Sequence, residues 1–421
     1  MINSNLTCST DIYLYHKCRA RDIIFFVCLF LLFMVNQTVF FHYRKWYGLI
    51  ALVRIIIPII ALLIFKLYAV KGITKQIAYL YLAFLFNMMI ISPIMSPDDD
   101  STFLLLGNYA MMLLTFFIFI LILHHKNFSL IYVSAPIYIM AFLALIGLID
   151  FFHIRYNTFL YTGLSTTIPP DRLVSIFKEP SLLSMCMLYP LYMSWGIYST
   201  MKLKRFLFLF LFLILCFMYV RSTAGLIGIA CPIILHIFLR YSNKDKWKRK
   251  ILRTFFSFII GIGAMIGFVY MIIYLSIRRA MHGDFTGIMT LLNFLPSKRL
   301  AFQQNRLGDF KSTVEYIIDH PFGIGVMNMN YFDINSVFIS PVPWWTITTG
   351  WLGGLLIVLI FLILLIKLII PNISAKELTL TSYSCMSLLS IYIAQVSYGR
   401  WMDTNILYVT AICLTLNRYR L

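Results

Sequence analysis

Charge is scarce in this sequence. Only 12% of its residues are Asp, Glu, Lys or Arg, against 61% hydrophobic ones, and a water-soluble core cannot hide that much apolar surface. The chain carries no internal repeat, no low-complexity tract and no Gly/Ser-rich linker that would divide it into soluble domains. Cysteine is missing where it would do chemistry. Of the eight, Cys8 and Cys18 precede the first apolar run and the other six fall inside apolar runs, with no CxxC pair of metal-binding spacing. These absences exclude a disulfide scaffold, a zinc module and a soluble multidomain enzyme.

What is present is a series of apolar runs, each near the roughly 20 residues that a helix needs to cross a hydrocarbon layer of about 30 Å. They fall near 23–41, 49–69, 76–95, 103–123, 129–149, 181–200, 205–220, 223–239, 252–277, 348–370, 377–396 and 402–418. The pattern predicts an all-α polytopic bundle of about twelve spans, a single integral membrane domain over 1–421. The pair around Arg221 also reads as a re-entrant hairpin. The first run follows Lys17, Arg19 and Arg21, exceeds a signal-peptide core in length and lacks a small-residue cleavage site, so a retained anchor is expected.

The few charges give an orientation. Assigned to alternating sides, 21 of the 35 Lys and Arg fall on the N-terminal side and 13 on the opposite one, with Arg54 left inside a span. By the positive-inside rule both termini are then cytoplasmic. Acidic residues divide the other way, with Asp11, Asp22, Asp245 and Glu377 inside and the other 12 of 16 outside. The net charge of +19 is therefore topological, and nucleic acid is not an expected partner. The dense run from Lys244 to Lys250 is expected to meet anionic headgroups. Asn5-Leu6-Thr7 fits a glycosylation sequon but lies on the cytoplasmic side.

Two connections are long, 150–180 and 278–347, both are expected on the outer face, and long loops are where function concentrates. The first contains Arg172 to Ser181, RLVSIFKEPS, in which Pro180 suits a helix start and Glu179 sits beside the positive end of the helix dipole. Glu179 suits a helix cap as well as a base. The second contains an amphipathic stretch from Ser297 to His320, stopped by Pro321 and Gly323. Leu300, Leu307, Val314 and Ile318 share one stripe, bordered by Arg299 and Arg306 a heptad apart. Those arginines suit phospholipid phosphates at headgroup depth. The pair Trp344-Trp345 fits an interfacial aromatic belt or a platform for sugar faces. Arg54, inside the second apolar run, requires a carboxylate, a phosphate or a water-filled cavity. Arg400 and Asp403 lie in helical reach of each other as a structural pair.

Four segments together resemble the bacterial O-antigen polymerase and ligase superfamily. They are RLVSIFKEPS at Arg172 to Ser181, RSTAG at Arg221 to Gly225, Arg306 followed by DHPFGIG at Asp319 to Gly325, and TGWLG at Thr349 to Gly353, opening the next span. The resemblance covers about 170 to 421. It implies a metal-independent glycosyltransferase of the bacterial inner membrane, without a cofactor. Its donor and acceptor would be undecaprenyl-diphosphate-linked oligosaccharides, with membrane lipid and a chain-length regulator as further partners. The family's diphosphate-binding arginines correspond to Arg172 and Arg306, with Arg221 as a third. Glu179 is then a candidate catalytic base, and Arg299, His320 and Asn335 candidate substrate contacts; His320 also fits a helix-end cap, and Asp333 is an alternative base. The His-Asn pair typical of ligases is absent, the nearest text being Asp333-Ile-Asn335-Ser336, which favours a polymerase over a ligase acting on lipid A core. A transporter of lipid-linked sugars is the alternative of another class. Such proteins carry charge near the midplane and often have matching halves, whereas here charge gathers in the outer loops.

Overall fold

The computed structural model describes residues 20–37, 53, 56–57, 59–60, 71–95, 107, 109–111, 113–117, 119–120, 130–153, 173, 177, 180–220, 222–242, 316–325, 341–375, 377–396 and 404–419. Among these the elements are helices, with no strand. They are α1 (Ala20–Gln37), α2 (Ile73–Met95), α3 (Leu130–His153), α4 (Pro180–Met201), α5 (Lys204–Val220), α6 (Thr223–Ser242), α7 (Pro341–Leu364), α8 (Leu380–Val396) and α9 (Thr404–Tyr419). Helix α7 continues through a π turn, Leu365–Ile369, into a last turn, Ile370–Ile373. Three helical stretches, Ile73–Ile91, Leu130–Ile149 and Pro341–Ile373, are long and apolar enough to cross a membrane, with shorter apolar helices around them. The run expected near 252–277 and Arg54 lie outside the described residues.

Helix α8 is the hub. Fifteen of its seventeen residues are buried, because α4, α6 and α9 surround it. Its inward positions are small hydroxyls, Ser384, Ser387 and Ser390, rather than large aliphatics. Small residues let helix backbones approach closely where lipid tails are as apolar as the side chains themselves.

Proline inside α3 and α6 creates a problem that neighbouring helices solve. A proline at position i cannot donate to the carbonyl at i−4 and leaves that oxygen without its helical partner, which is costly where no water reaches. Pro136 in α3 releases the carbonyl of Tyr132, and the Tyr408 hydroxyl of α9 donates to it. Pro232 in α6 releases Gly228 O, which accepts from Ser390 Oγ of α8 at 2.5 Å. The adjacent carbonyls are served likewise, Val133 O by Tyr189 at 3.0 Å and Ile229 O by Tyr192 at 2.6 Å. Tyr408→Phe and Ser390→Ala should therefore each cost about 1–2 kcal/mol, as each strands a buried acceptor. Thr415→Val should be near neutral, because Thr415 bonds only Ala411 O one turn back in its own helix. Thermal midpoints of the three purified variants in one detergent check this, and equal losses for all three would discard the proline account.

Contacts between helix ends fix their relative sense. Lys367 Nζ donates to Gln76 Oε1 at 3.0 Å, which sets the end of α7 beside the start of α2. His236 Nδ1 near the end of α6 lies 2.6 Å from Ile373 O. Ser384 Oγ near the start of α8 lies 2.9 Å from Cys413 Sγ toward the end of α9, and Gly196 of α4 packs on Tyr383 of α8. So α4, α6, α7 and α9 begin at one end of the bundle, here the upper end, while α2, α5 and α8 begin at the lower. Helix α3 runs in the same sense as α4. Val133 meets Tyr189 in mid-helix, and Tyr138 meets Phe206, on the first turn of α5, with ring centroids 6.0 Å apart.

Charge is segregated along this axis. The lysines and arginines with described side chains are Lys71, Lys75, Lys202, Lys204, Arg205, Arg240, Lys367 and Arg418, and all of them lie at lower helix ends or lower turns.

Candidate functional site

Two pairs of distant segments meet at the upper end. The first pair joins the stretch around Leu173 to the α5–α6 hairpin. Leu173 N–H donates to Tyr219 O at 3.0 Å, and Leu173 and Phe177 are fully buried. Just after Tyr219, Ser222 caps α6: its hydroxyl accepts from Gly225 N–H at 3.3 Å and its carbonyl from Leu226 N–H at 3.1 Å. Gly225 is pressed against Ser184 in the first turns of α4 and Phe217 in the last turn of α5. The starts of α4 and α6 thus stand side by side, and the backbone of Leu173 is tied to Tyr219 beside them.

The second pair joins residues 316–325 to a break inside α7. The chain is helical over 316–319 and stops at His320 and Pro321, where His320 N–H donates to Tyr316 O at 2.8 Å and His320 O accepts from Gly323 N–H at 2.9 Å. The strap that follows lies on α7 where Gly350 leaves the helical conformation (φ 74°, ψ −174°). At this break the ordinary helical partners are exchanged for external ones. Trp351 N–H, which would serve Ile347 O, donates instead to Pro321 O at 3.2 Å, and Ile347 O accepts from Ile324 N–H at 2.9 Å. Thr348 O takes Gly325 N–H at 3.0 Å, and Thr349 O takes the Asn87 side-chain amide of α2 at 3.0 Å. Three consecutive carbonyls of a broken helix are thereby satisfied in apolar surroundings, as buried backbone groups must be.

Glycine makes this crossing possible. Gly323 (φ +88°) and Gly350 (φ +74°) adopt a backbone that side-chain-bearing residues avoid. A Cβ on Gly323 would stand 2.5 Å from Gly350 N, and one on Gly350 would stand 2.5 Å from Phe322 C. The two backbones touch with no room for a methyl group on either side.

Of the sequence-predicted site residues, His320 lies in the strap, half-buried, with its backbone closing the helix end. Arg172, Glu179, Arg221, Arg299, Arg306 and Asn335 lie outside the described residues, as does Asp333. Two expectations are corrected. The Thr349–Gly353 segment does not open a span: the helix already begins at Pro341, and the segment forms a break nine residues later, because the strap replaces the missing helical bonds. Trp345 is neither an interfacial belt residue nor a sugar platform. It is fully buried, edge-on to Phe84 of α2 at 5.0 Å and to Tyr109 at 5.3 Å.

Sequence reasoning missed Asn87. An amide in the middle of an otherwise apolar run was the available signal, since such a group must find a partner. Chemically, the upper end offers two adjacent helix starts, α4 and α6, and a strap, 316–325, bonded to the break in α7. Among the described residues, no group of His, Cys, Asp and Glu could hold a metal ion. No family model, curated protein or solved structure matches the chain.

Proposed function

We propose that this chain is a polytopic membrane glycosyltransferase that polymerises polyprenyl-diphosphate-linked oligosaccharide repeat units into a surface polysaccharide, with the upper end of the bundle facing away from the cytoplasm. The observation that carries the reading is the seating of HPFGIG on TGWLG, with Leu173 bonded to Tyr219 just ahead of RSTAG, at the end opposite the lysines and arginines whose side chains are described. Under the positive-inside rule that segregation makes the lower end cytoplasmic.

The chemistry follows from that placement. A reaction outside the cytoplasm has no nucleotide sugars, so the donor arrives already activated as a lipid diphosphate. The acceptor hydroxyl oxygen bonds to the donor's anomeric carbon, the bond from that carbon to the diphosphate breaks, and the lipid diphosphate leaves with the electron pair. Negative charge grows on the leaving group. Arg172 and Arg306, with Arg221 and Arg299 beside them, are the groups assigned to stabilise it through bidentate, charge-assisted hydrogen bonds. Glu179 is assigned the acceptor proton, and His320 and Asn335 the glycan. The strap holds the segment after Arg306 against α7.

Deleting the gene in its own strain and displaying the surface polysaccharide on a gel tests the reading. A single repeat unit on the lipid core is the expected result. Free lipid-linked polymer would replace it with ligase activity, and repeat units stranded inside the cell would replace it with transport.

A further inference from the structure

Helices α2 and α7 pack against each other, and each presents an exposed apolar row to its surroundings. On α2 the row is Tyr79, Leu82, Phe86 and Ile90; on α7 it is Trp351, Leu355, Leu362 and Ile366. Both rows end in lysine at the lower end of the bundle. On α2, Lys75 stands one turn before Tyr79 with its ammonium 5.4 Å from the Tyr79 ring centroid, and Lys71 lies just ahead of the helix, two residues before Ile73. On α7, Lys367 follows Ile366 within the π turn, and its ammonium is held 3.0 Å from Gln76 Oε1.

That hydrogen bond draws the α7 ammonium to the first turns of α2, beside residues 71 and 75. Three like charges gathered by two helices repel one another and call for an anion. Among the described residues none of the three makes an ion pair, and the carboxylates whose side chains are described are Asp22, Asp319 and Glu377. The surface above the lysines carries the exposed apolar rows, which a small soluble anion would leave uncovered. An amphiphile with an anionic head and acyl tails fits both halves.

We propose that Lys71, Lys75 and Lys367 form a headgroup site for an anionic phospholipid, whose acyl chains lie along the exposed rows of α2 and α7. This rests on the membrane reading above, but not on the glycosyltransferase assignment. The site clamps the lower ends of α2 and α7, the same two helices that Asn87 and Thr349 join at the strap. A bound lipid thus stabilises the helix pair on which the strap is seated.

The test is native mass spectrometry of the full-length protein released from micelles containing equal amounts of phosphatidylglycerol and phosphatidylcholine. Retained phosphatidylglycerol should dominate. Each lysine near a charged lipid surface is worth about 1 kcal/mol, or roughly fivefold in affinity, so Lys367→Gln should lower the phosphatidylglycerol-to-phosphatidylcholine ratio about fivefold. Lys71→Gln/Lys75→Gln/Lys367→Gln should bring it close to unity. Lys202→Gln/Lys204→Gln/Arg205→Gln, which removes the same charge at the α4–α5 turn, should leave it nearly unchanged, and the acyl-free headgroup glycerophosphoglycerol should not compete. Equal retention of the two lipids by the wild type, equal losses in the two triple variants, or full competition by the acyl-free headgroup would each overturn the site. Thermal midpoints of the variants without lipid separate loss of binding from loss of fold. Polymer formation in cells is scored separately, so failure of the lipid site and failure of the proposed activity remain distinguishable.

Discussion

Alanine at Gly350 is expected to detach the strap from α7 and to abolish activity, and alanine at Gly323 should do the same from the other side. Each substitution forces a side chain into a positive-φ conformation, which costs about 1–2 kcal/mol. Each also drives a methyl group against backbone atoms 2.5 Å away, which cannot swing aside as a flexible side chain would. The combined cost is on the order of 3 kcal/mol, in the range that marks a specific structural failure rather than ordinary wear. Gly72 provides the matched control. It too has a positive φ (+63°), but a Cβ there would meet nothing within 4 Å, so Gly72→Ala should cost only about 1 kcal/mol. The measurement is the thermal midpoint of each variant, together with the rate of proteolytic cleavage in 316–340, which should rise for Gly323→Ala and Gly350→Ala alone. A Gly350→Ala protein as stable and as resistant as Gly72→Ala would mean that the crossing of the two backbones is not what seats the strap.

Arg306→Ala should reduce polymer formation by about 10²–10³-fold, the usual cost of removing one preorganised donor to a developing negative charge. The informative comparison is with lysine. An arginine that only reaches phospholipid phosphates is replaced by lysine with little loss, since a point charge serves equally well. One that grips a diphosphate with a planar fork is not. Arg306→Lys should therefore remain strongly impaired. Purified protein acting on lipid-linked repeat units, with protein level and melting temperature matched to wild type, gives the readout. Near-normal activity for Arg306→Ala would remove this residue from the chemistry and leave the amphipathic stretch read from the sequence with a membrane-surface role alone.

These two predictions differ in how much of their basis lies in sequence. The glycines of HPFGIG and TGWLG were visible as motif members, but nothing in a linear chain says that Gly323 and Gly350 occupy the same place. The break at Gly350 was likewise hidden. The apolar pattern opens the span at 348 and leaves 341–347 in the preceding loop, and the hydrogen bonds that compensate the break come from residues 321, 324, 325 and 87. Asn87 and Ser390 were legible only as polar residues in apolar runs that must find partners. Which carbonyl each would find depended on helices far away in the chain.

Composition alone determined that the chain is helical and built from long apolar segments, because 61% hydrophobic residues leave the backbone few partners other than its own helical ones. Local chemistry also placed two boundaries: Pro180 at the start of α4 and Pro321 after the turn at 316–319. The relative sense of the helices was beyond it. Alternating sides along the sequence would set α3 antiparallel to α4, whereas the contacts of Val133 and Tyr138 set the two in the same sense. An apolar run records that a segment avoids water, and this constraint is the same in either direction. Direction is decided by which hydroxyl can reach which proline-freed carbonyl and which backbones are bare enough to touch, and those are properties of the packed bundle.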